Sequence, residues 1–137
     1  MNSGYSKTPL ERKLGIKEGF HCQFYEPTPA YTNWIQSLDL SLELNASTKL
    51  HTLDFAHAFC KTYNDLEAAI LILKPLLKYT GMLWISWPKG SSKIPTVLKR
   101  EPIRDYVLDN GLVDVKVAAI DEDWSGLKFV YRLKDRP

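Results

Sequence analysis

The chain has 137 residues and a mass of 15.7 kDa, enough for one domain with one core and too few for a barrel enzyme or a two-domain catalyst, whose domains need about 100 to 200 residues each. Its 45% hydrophobic, 12% aromatic and 25% charged residues, with four Trp, exclude a disordered chain. Eighteen basic against 16 acidic residues leave a net charge of +2 with no long block of either sign, so nucleic acid is not an expected partner.

Taken in chain order, Thr8-Pro9-Leu10-Glu11 reads as a capping box with proline at the first helical position. Gly15 supplies the stop, so a short helix is predicted over 9–14 with Leu10 and Leu14 on one face. Phe20 to Tyr25 fits a strand. Glu26-Pro27-Thr28-Pro29 then breaks it and caps a helix carrying Tyr31, Trp34, Ile35 and Leu38. Leu40, Leu42 and Leu44 alternate through 39–44, as in a half-buried or edge strand. The nearly all-apolar run from Leu53 to Cys60 predicts a central strand buried on both faces.

Asn64-Asp65-Leu66-Glu67 repeats the capping logic, and Leu66, Ile70, Leu73 and Leu77 form one stripe until Pro75 kinks or ends the helix. Gly81 opens a second buried strand, Met82 to Trp87, followed by a loop over 88–95. A helix over about 96–110, in two pieces around Pro102, stops at Gly111. Val113 to Ile120 and Leu127 to Leu133 read as an antiparallel hairpin joined by 121–126. Strands alternating with helices imply a three-layer αβα sandwich, its mostly parallel sheet ending in an antiparallel hairpin, in a single α/β domain over 1–137.

The stretch from Met1 to Gly19 has no apolar leader region, and the longest apolar run, Ala68 to Leu73, is far shorter than the roughly 20 residues that span a bilayer. The expected location is cytoplasmic, with no membrane partner. Cys22 and Cys60 lack any CxxC or Cys/His ligand spacing and read as reduced core thiols, with no metal site.

From Leu53 onward the order resembles the second half of a class I S-adenosylmethionine-dependent methyltransferase domain, which has a Rossmann-like fold. The shared parts are a buried strand, a helix ending in Leu-Lys-Pro, a Gly-led strand over Gly81 to Trp87, a helix and a terminal hairpin. The resemblance implies a glycine-rich turn after the first strand, where the backbone approaches the cofactor closely. This chain departs from it with Glu26-Pro27-Thr28-Pro29-Ala30. It also implies an acidic residue at the end of the second strand to hold the ribose, for which Glu43 is the nearest candidate. Three further segments look like the signatures of a small bacterial domain-of-unknown-function family: Thr8-Pro9-Leu10 with Lys13-Leu14-Gly15-Ile16-Lys17, Trp84 to Thr96, and Gly111 to Val117 with Asp121 to Lys128. That family brings no activity to transfer.

In an open α/β sheet, ligands sit beyond the carboxyl ends of the strands. The 88–95 loop and the 121–126 turn both belong at that end. Lys89 and Lys93, with the backbone N–H groups around Gly90, Ser91 and Ser92, could form an anion site. Trp87 or Trp124 could stack on a flat ring, and Asp121 and Ser125 complete the set. Gly-Ser-Ser-Lys lacks the spacing of a true phosphate-binding loop, and a rigid connection with solvated lysines is the plainer alternative. His21, His51 and His57 fall beside or within strands and read as hydrogen-bonded scaffold; no nucleophile–base pair is visible.

The expected function is therefore that of a noncatalytic methyltransferase-like domain with no cofactor, binding an anionic ligand or a protein partner at 87–93 and 121–126. The alternatives are a small enzyme or nucleotide-binding protein using Lys89, Lys93 and Asp121, and a residual methyltransferase. A homodimer through 39–44 or through an exposed helix is a further alternative. The length points the same way, leaving little chain for a substrate-binding region or lid.

Overall fold

The computed structural model describes residues 8–44 and 48–137. Its elements are helix α1 (Leu10–Leu14), strand β1 (Cys22–Tyr25), helix α2 (Pro29–Ser37), strand β2 (Leu53–Phe59), helix α3 (Tyr63–Leu73), strand β3 (Leu77–Pro88), helix α4 (Arg100–Asp109) and strands β4 (Leu112–Ala119) and β5 (Trp124–Tyr131). Short 3₁₀ turns occupy Lys74–Leu76 and Leu133–Asp135. The sheet order is β1-β2-β3-β5-β4, parallel from β1 to β3 and antiparallel from β3 through β5 to β4. The expected αβα sandwich with a terminal hairpin is the observed architecture.

A core lies on each face of this sheet. Leu66, Ala69, Ile70 and Leu73 of α3 and Ile103 and Val107 of α4 pack on one side against Leu83, Ile85, Leu127 and Phe129. Leu14 of α1 and Tyr31 and Ile35 of α2 pack on the other, against Phe55, Phe59, Trp84 and Trp124. Successive strand residues point to opposite faces, which is why Trp84 and Trp87 enter different cores. Fully burying a Leu or Phe side chain contributes about 1.5–3 kcal/mol. The apolar runs that the sequence places on both faces of β2 and β3 are thus where most of the stabilisation lies.

Local chemistry shifts several predicted boundaries. The α1 N-cap falls on Pro9, one residue inside the predicted box, and Gly15 closes the helix at φ 84° while the Ile16 N–H reaches back to the Glu11 carbonyl. Thr62, two residues upstream of the predicted Asn64, caps α3 in a capping box with Asp65. Pro75 ends α3 outright, so Leu77 belongs to β3 and the helix stripe closes at Leu73. Strand β3 then starts five residues before the predicted Met82, with Gly81 inside it. The helix predicted in two pieces over 96–110 is the single α4: Pro102 sits in its first turn, where an N–H has no intrahelical acceptor and a proline causes no break. The final strand is Trp124–Tyr131 instead of 127–133, which shortens the hairpin turn to residues 120–123.

The predicted strand over 39–44 is reduced to one parallel bridge, His21↔Glu43. Glu43 N–H donates to the Phe20 carbonyl and Cys22 N–H to the Glu43 carbonyl, so the segment runs along the outer edge of β1. Leu40, Leu42 and Leu44 are partly buried against the second core. Among the described residues no helix is long and apolar enough to cross a membrane, and no group of three His, Cys, Asp or Glu side chains could hold a metal. The first seven residues of the stretch read for a leader lie outside the described residues.

Candidate functional site

Strands β1, β2 and β3 are mutually parallel, so their carboxyl ends meet at one end of the sheet. The β4–β5 turn reaches the same end because Trp124, which opens β5, pairs with Pro88, which closes β3. A cleft of about 410 Å³ opens there. The turn after β1, Glu26 to Pro29, lines it together with Lys61 of the β2–α3 connection, Asp65 of the first turn of α3, and Phe59, Ile94 and Trp124. The Phe59 and Trp124 rings meet edge to face at 5.1 Å between centroids.

This lining is fixed locally. Glu26 adopts φ 49°, a left-handed conformation that glycine takes without steric cost and a glutamate does not. Pro27 and Pro29 contribute no N–H, and Thr28 spends its hydroxyl on the Tyr31 N–H at 3.1 Å as the α2 cap. Asp65 accepts from the N–H groups of Lys61 and Thr62 at 2.9 and 3.2 Å and from the Tyr25 hydroxyl at 3.3 Å. Burial pushes its carboxyl upward, but the hydrogen bonds from Lys61, Thr62 and Tyr25 outweigh this and hold it below the usual carboxylate range. Burial, and then Asp65, pushes the Tyr25 phenol up.

The nine residues singled out by the sequence do not form one pocket. The 88–95 loop and the β4–β5 turn are tied together: Lys89 N–H donates to the Asp123 carbonyl at 2.8 Å, and the Ser92 hydroxyl to the Asp123 carboxylate at 2.8 Å. Asp121 holds the turn itself, accepting from the N–H groups of Asp123 and Trp124 at 2.8 and 2.9 Å. It also lines a second cleft of about 430 Å³ on the α1–α2 side, beside Glu11, Tyr31 and Trp34. Trp124, only 3% exposed, borders the first cleft, while Trp87 is buried in the core beneath α3 and α4. Ser125 lies within β5 opposite Trp87 and Ala119. Gly90, Ser91 and Lys93 stand exposed in the loop and line neither cleft.

Glu43, the ribose candidate, is displaced from this end. Its bridge partner is His21, four residues before Tyr25, which puts it about 13 Å short of the cleft at roughly 3.3 Å per residue. Lys61 and Asp65, by contrast, were missed by the sequence reading. Their signal is position: they follow directly on the predicted central strand, at its carboxyl end.

The partners of the scaffold histidine His57 also escaped the sequence reading. His57 shares hydrogen bonds with Tyr31 OH at 2.9 Å through Nδ1 and with Ser86 Oγ at 2.7 Å through Nε2. Nucleophile and base therefore do meet in space, contrary to expectation. They are sealed: Ser86 and His57 are 0% exposed, and a Cβ on Gly126 would lie only 3.0 Å from Ser86 Oγ. Burial lowers His57 to about 3, so the ring is neutral and serves the scaffold. His51 is also scaffold, bonding the Leu77 carbonyl at 2.9 Å and stacking on Tyr79. Cys22 and Cys60 are free and buried; burial first, and then Asp54 and Asp65 respectively, pushes each thiol up to about 12, which leaves no reactive thiolate.

No family model matches the sequence, and no curated protein matches it. Solved structures do. A SAM-dependent methyltransferase from Aquifex aeolicus superposes with a TM-score of 0.67 at 12% identity, over 88% of this chain and 86% of that one. A TehB-like SAM-dependent methyltransferase from Corynebacterium glutamicum gives 0.54 at 8% identity, over 95% and 91%. The Burkholderia thailandensis 1,6-didemethyltoxoflavin-N1-methyltransferase, solved with bound 1,6-didemethyltoxoflavin and S-adenosylhomocysteine, gives 0.54 at 9% identity, over 88% and 73%. At these identities the likeness shows the fold: this chain has a methyltransferase-like, Rossmann-type α/β architecture.

Proposed function

We propose that this chain is a noncatalytic methyltransferase-like domain that works by binding, taking a small anionic ligand or a protein partner at the carboxyl-end face formed by the cleft and the 88–95 loop. The observation that carries this reading is the turn after β1. A cofactor that needs close backbone approach there would meet two proline rings, two missing N–H donors and the Glu26 carboxylate. The residues present fit S-adenosylmethionine poorly. The sealed Ser86–His57 pair leaves no activated nucleophile at the cleft, and Lys89, Gly90, Ser91 and Lys93 offer charge and amide donors beside it.

A residual methyltransferase is the second reading, favoured by the cleft itself: it lies where ligands bind in open α/β sheets, is bordered by Phe59 and Trp124, and its volume lies within the range of small-molecule sites, about 300–1,000 Å³. Titration calorimetry separates the two. S-adenosylmethionine and S-adenosylhomocysteine are expected to give no saturable heat at millimolar concentration, while a thermal-shift screen of nucleotides and sugar phosphates yields a ligand whose effect falls in Lys93→Ala. Micromolar binding of either compound, weakened by Trp124→Ala, would instead favour the methyltransferase reading.

A further inference from the structure

Lys116 of β4 and Lys128 of β5 stand directly opposite each other in the antiparallel register. Like charges so placed destabilise a sheet. More ammonium groups gather around them. Lys116 Nζ donates to the Lys13 carbonyl at 2.9 Å, and Lys13 Nζ to the Ala119 carbonyl at 3.5 Å. A Cβ on Gly15 would lie 3.8 Å from Lys128 Nζ, which places that charge over the end of α1. Burial, then Lys116 and Lys89, hold Lys13 below the usual lysine range; burial, then Lys116 and Lys17, do the same to Lys128. Register and hydrogen bonds thus bring Lys13, Lys116 and Lys128 together, and the charges of Lys89 and Lys17 act on Lys13 and Lys128 respectively. Among the described residues, Lys17, Lys89, Lys116 and Lys128 form no ion pair within 4.0 Å.

Edge strands often carry a lysine and a bulge that block pairing with another sheet, and β4 has both, its register shifting between Asp114 and Lys116. That accounts for Lys116. It leaves unexplained Lys128, on an inner strand, and the lysines contributed by α1, by the residues after it and by the end of β3. Nor is the cluster the by-product of a basic chain, because the net charge is only +2. The acidic residues nearest in sequence are engaged elsewhere or stand apart: Asp114 pairs with Arg104 at 3.1 Å, Glu18 accepts from the Ser41 N–H at 2.9 Å, and Glu11 lines the α1–α2 cleft.

We propose that this face of α1, β4 and β5 binds a compact oligophosphate, either free tripolyphosphate or the phosphate tail of a nucleoside triphosphate. Ammonium groups converging on one place suit a ligand that concentrates several negative charges within a few ångströms; a nucleic-acid backbone calls for a stripe of charge along a groove. Each lysine meets a phosphate oxygen as a point charge, and the bound anion removes the repulsion between Lys116 and Lys128. The site shares only Lys89 with the carboxyl-end reading and does not depend on it.

Titration calorimetry of the whole chain at low salt, with tripolyphosphate as the probe, tests this. Saturable binding is expected, roughly tenfold weaker in Lys116→Gln and weaker again in Lys116→Gln/Lys128→Gln. Lys116→Arg should retain it, and Lys99→Ala, at the exposed start of α4, should leave it unchanged. Without ligand, the Gln variants should melt at or above the wild-type temperature, which also shows that they fold. Competition by ATP assigns the site to a nucleotide tail; failure to compete, with tripolyphosphate bound, assigns it to the free oligophosphate. The proposal is overturned by no saturable heat, by affinity unchanged in the double variant, by loss in Lys99→Ala with retention in Lys116→Gln, or by a single-stranded oligonucleotide binding more tightly than tripolyphosphate.

Discussion

At the scale of single residues, His57 has the clearest consequence. Its folded value of about 3 lies well below the 6.5 of an unfolded histidine, and burial is the cause. Below pH 6.5 the unfolded chain takes up a proton that the native state refuses until about pH 3. The stabilisation from keeping the ring neutral is therefore complete above pH 6.5 and declines as pH falls through that window, at up to about 1.4 kcal/mol per pH unit. Urea unfolding at pH 7.5 and pH 4.5 should show this group costing on the order of 2–3 kcal/mol in the wild type, an increment absent from His57→Gln. Parallel pH dependences for the two proteins would refute the assignment. The sequence identified the residue as scaffold, but its partners Tyr31 and Ser86 are 26 and 29 positions away, on α2 and β3, and only the packed sheet brings the three together.

At the scale of elements, the sequence was read best where local chemistry decides the outcome. Gly15 and Gly111 stop their helices in the left-handed region, and the apolar runs of β2 and β3 are strands. It was read worst where a neighbour decides. Gly81 resembles the start of a strand, yet its role is inside one: the β2–β3 register jumps from Leu53↔Leu77 to Phe55↔Met82, and a Cβ on Gly81 would sit 2.6 Å from the Leu53 carbonyl oxygen. Gly81→Ala should accordingly lose about 1–3 kcal/mol in chemical denaturation, as overpacked sites do. Gly90→Ala, where a Cβ would meet nothing within 4 Å, should stay within about 0.5 kcal/mol of wild type. Equal effects at the two positions would contradict the close approach. The 39–44 segment fails as a strand for a related reason: alternation gives it an apolar side, but only Glu43 finds a ladder partner.

At the scale of the molecule, two cores share one sheet. Phe129 belongs to the first and Ile35 to the second, and every strand between them presents side chains to both. The Trp84 Nε1–H bond to the Leu14 carbonyl at 2.9 Å ties α1 directly to β3. The cores should therefore unfold together. Phe129→Ala, costing about 3–5 kcal/mol, and Ile35→Ala, costing about 2–5 kcal/mol, should each move a single transition that far- and near-ultraviolet circular dichroism report identically. Two separated transitions in either variant would show that the faces are independent. The same architecture explains why the carboxyl-end face could be located from the strand order, while the nine chosen residues divided between a tied loop, two clefts and the core.

By itself the sequence determined the fold class, the order and type of nearly all elements, the inert character of both cysteines and the end of the sheet at which the 88–95 loop and the hairpin turn meet. These follow from periodicity, capping and punctuation, which act over a few residues. Only the tertiary structure decided which side chains meet: that Trp124 is buried beside a cleft lined by Lys61 and Asp65, that Glu43 lies at the wrong end, that Ser86 and His57 pair out of reach of solvent, and that lysines scattered from position 13 to 128 gather on one face. A near-neutral net charge concealed that last feature, because electrostatic energy depends on distance in space and composition records only the sum.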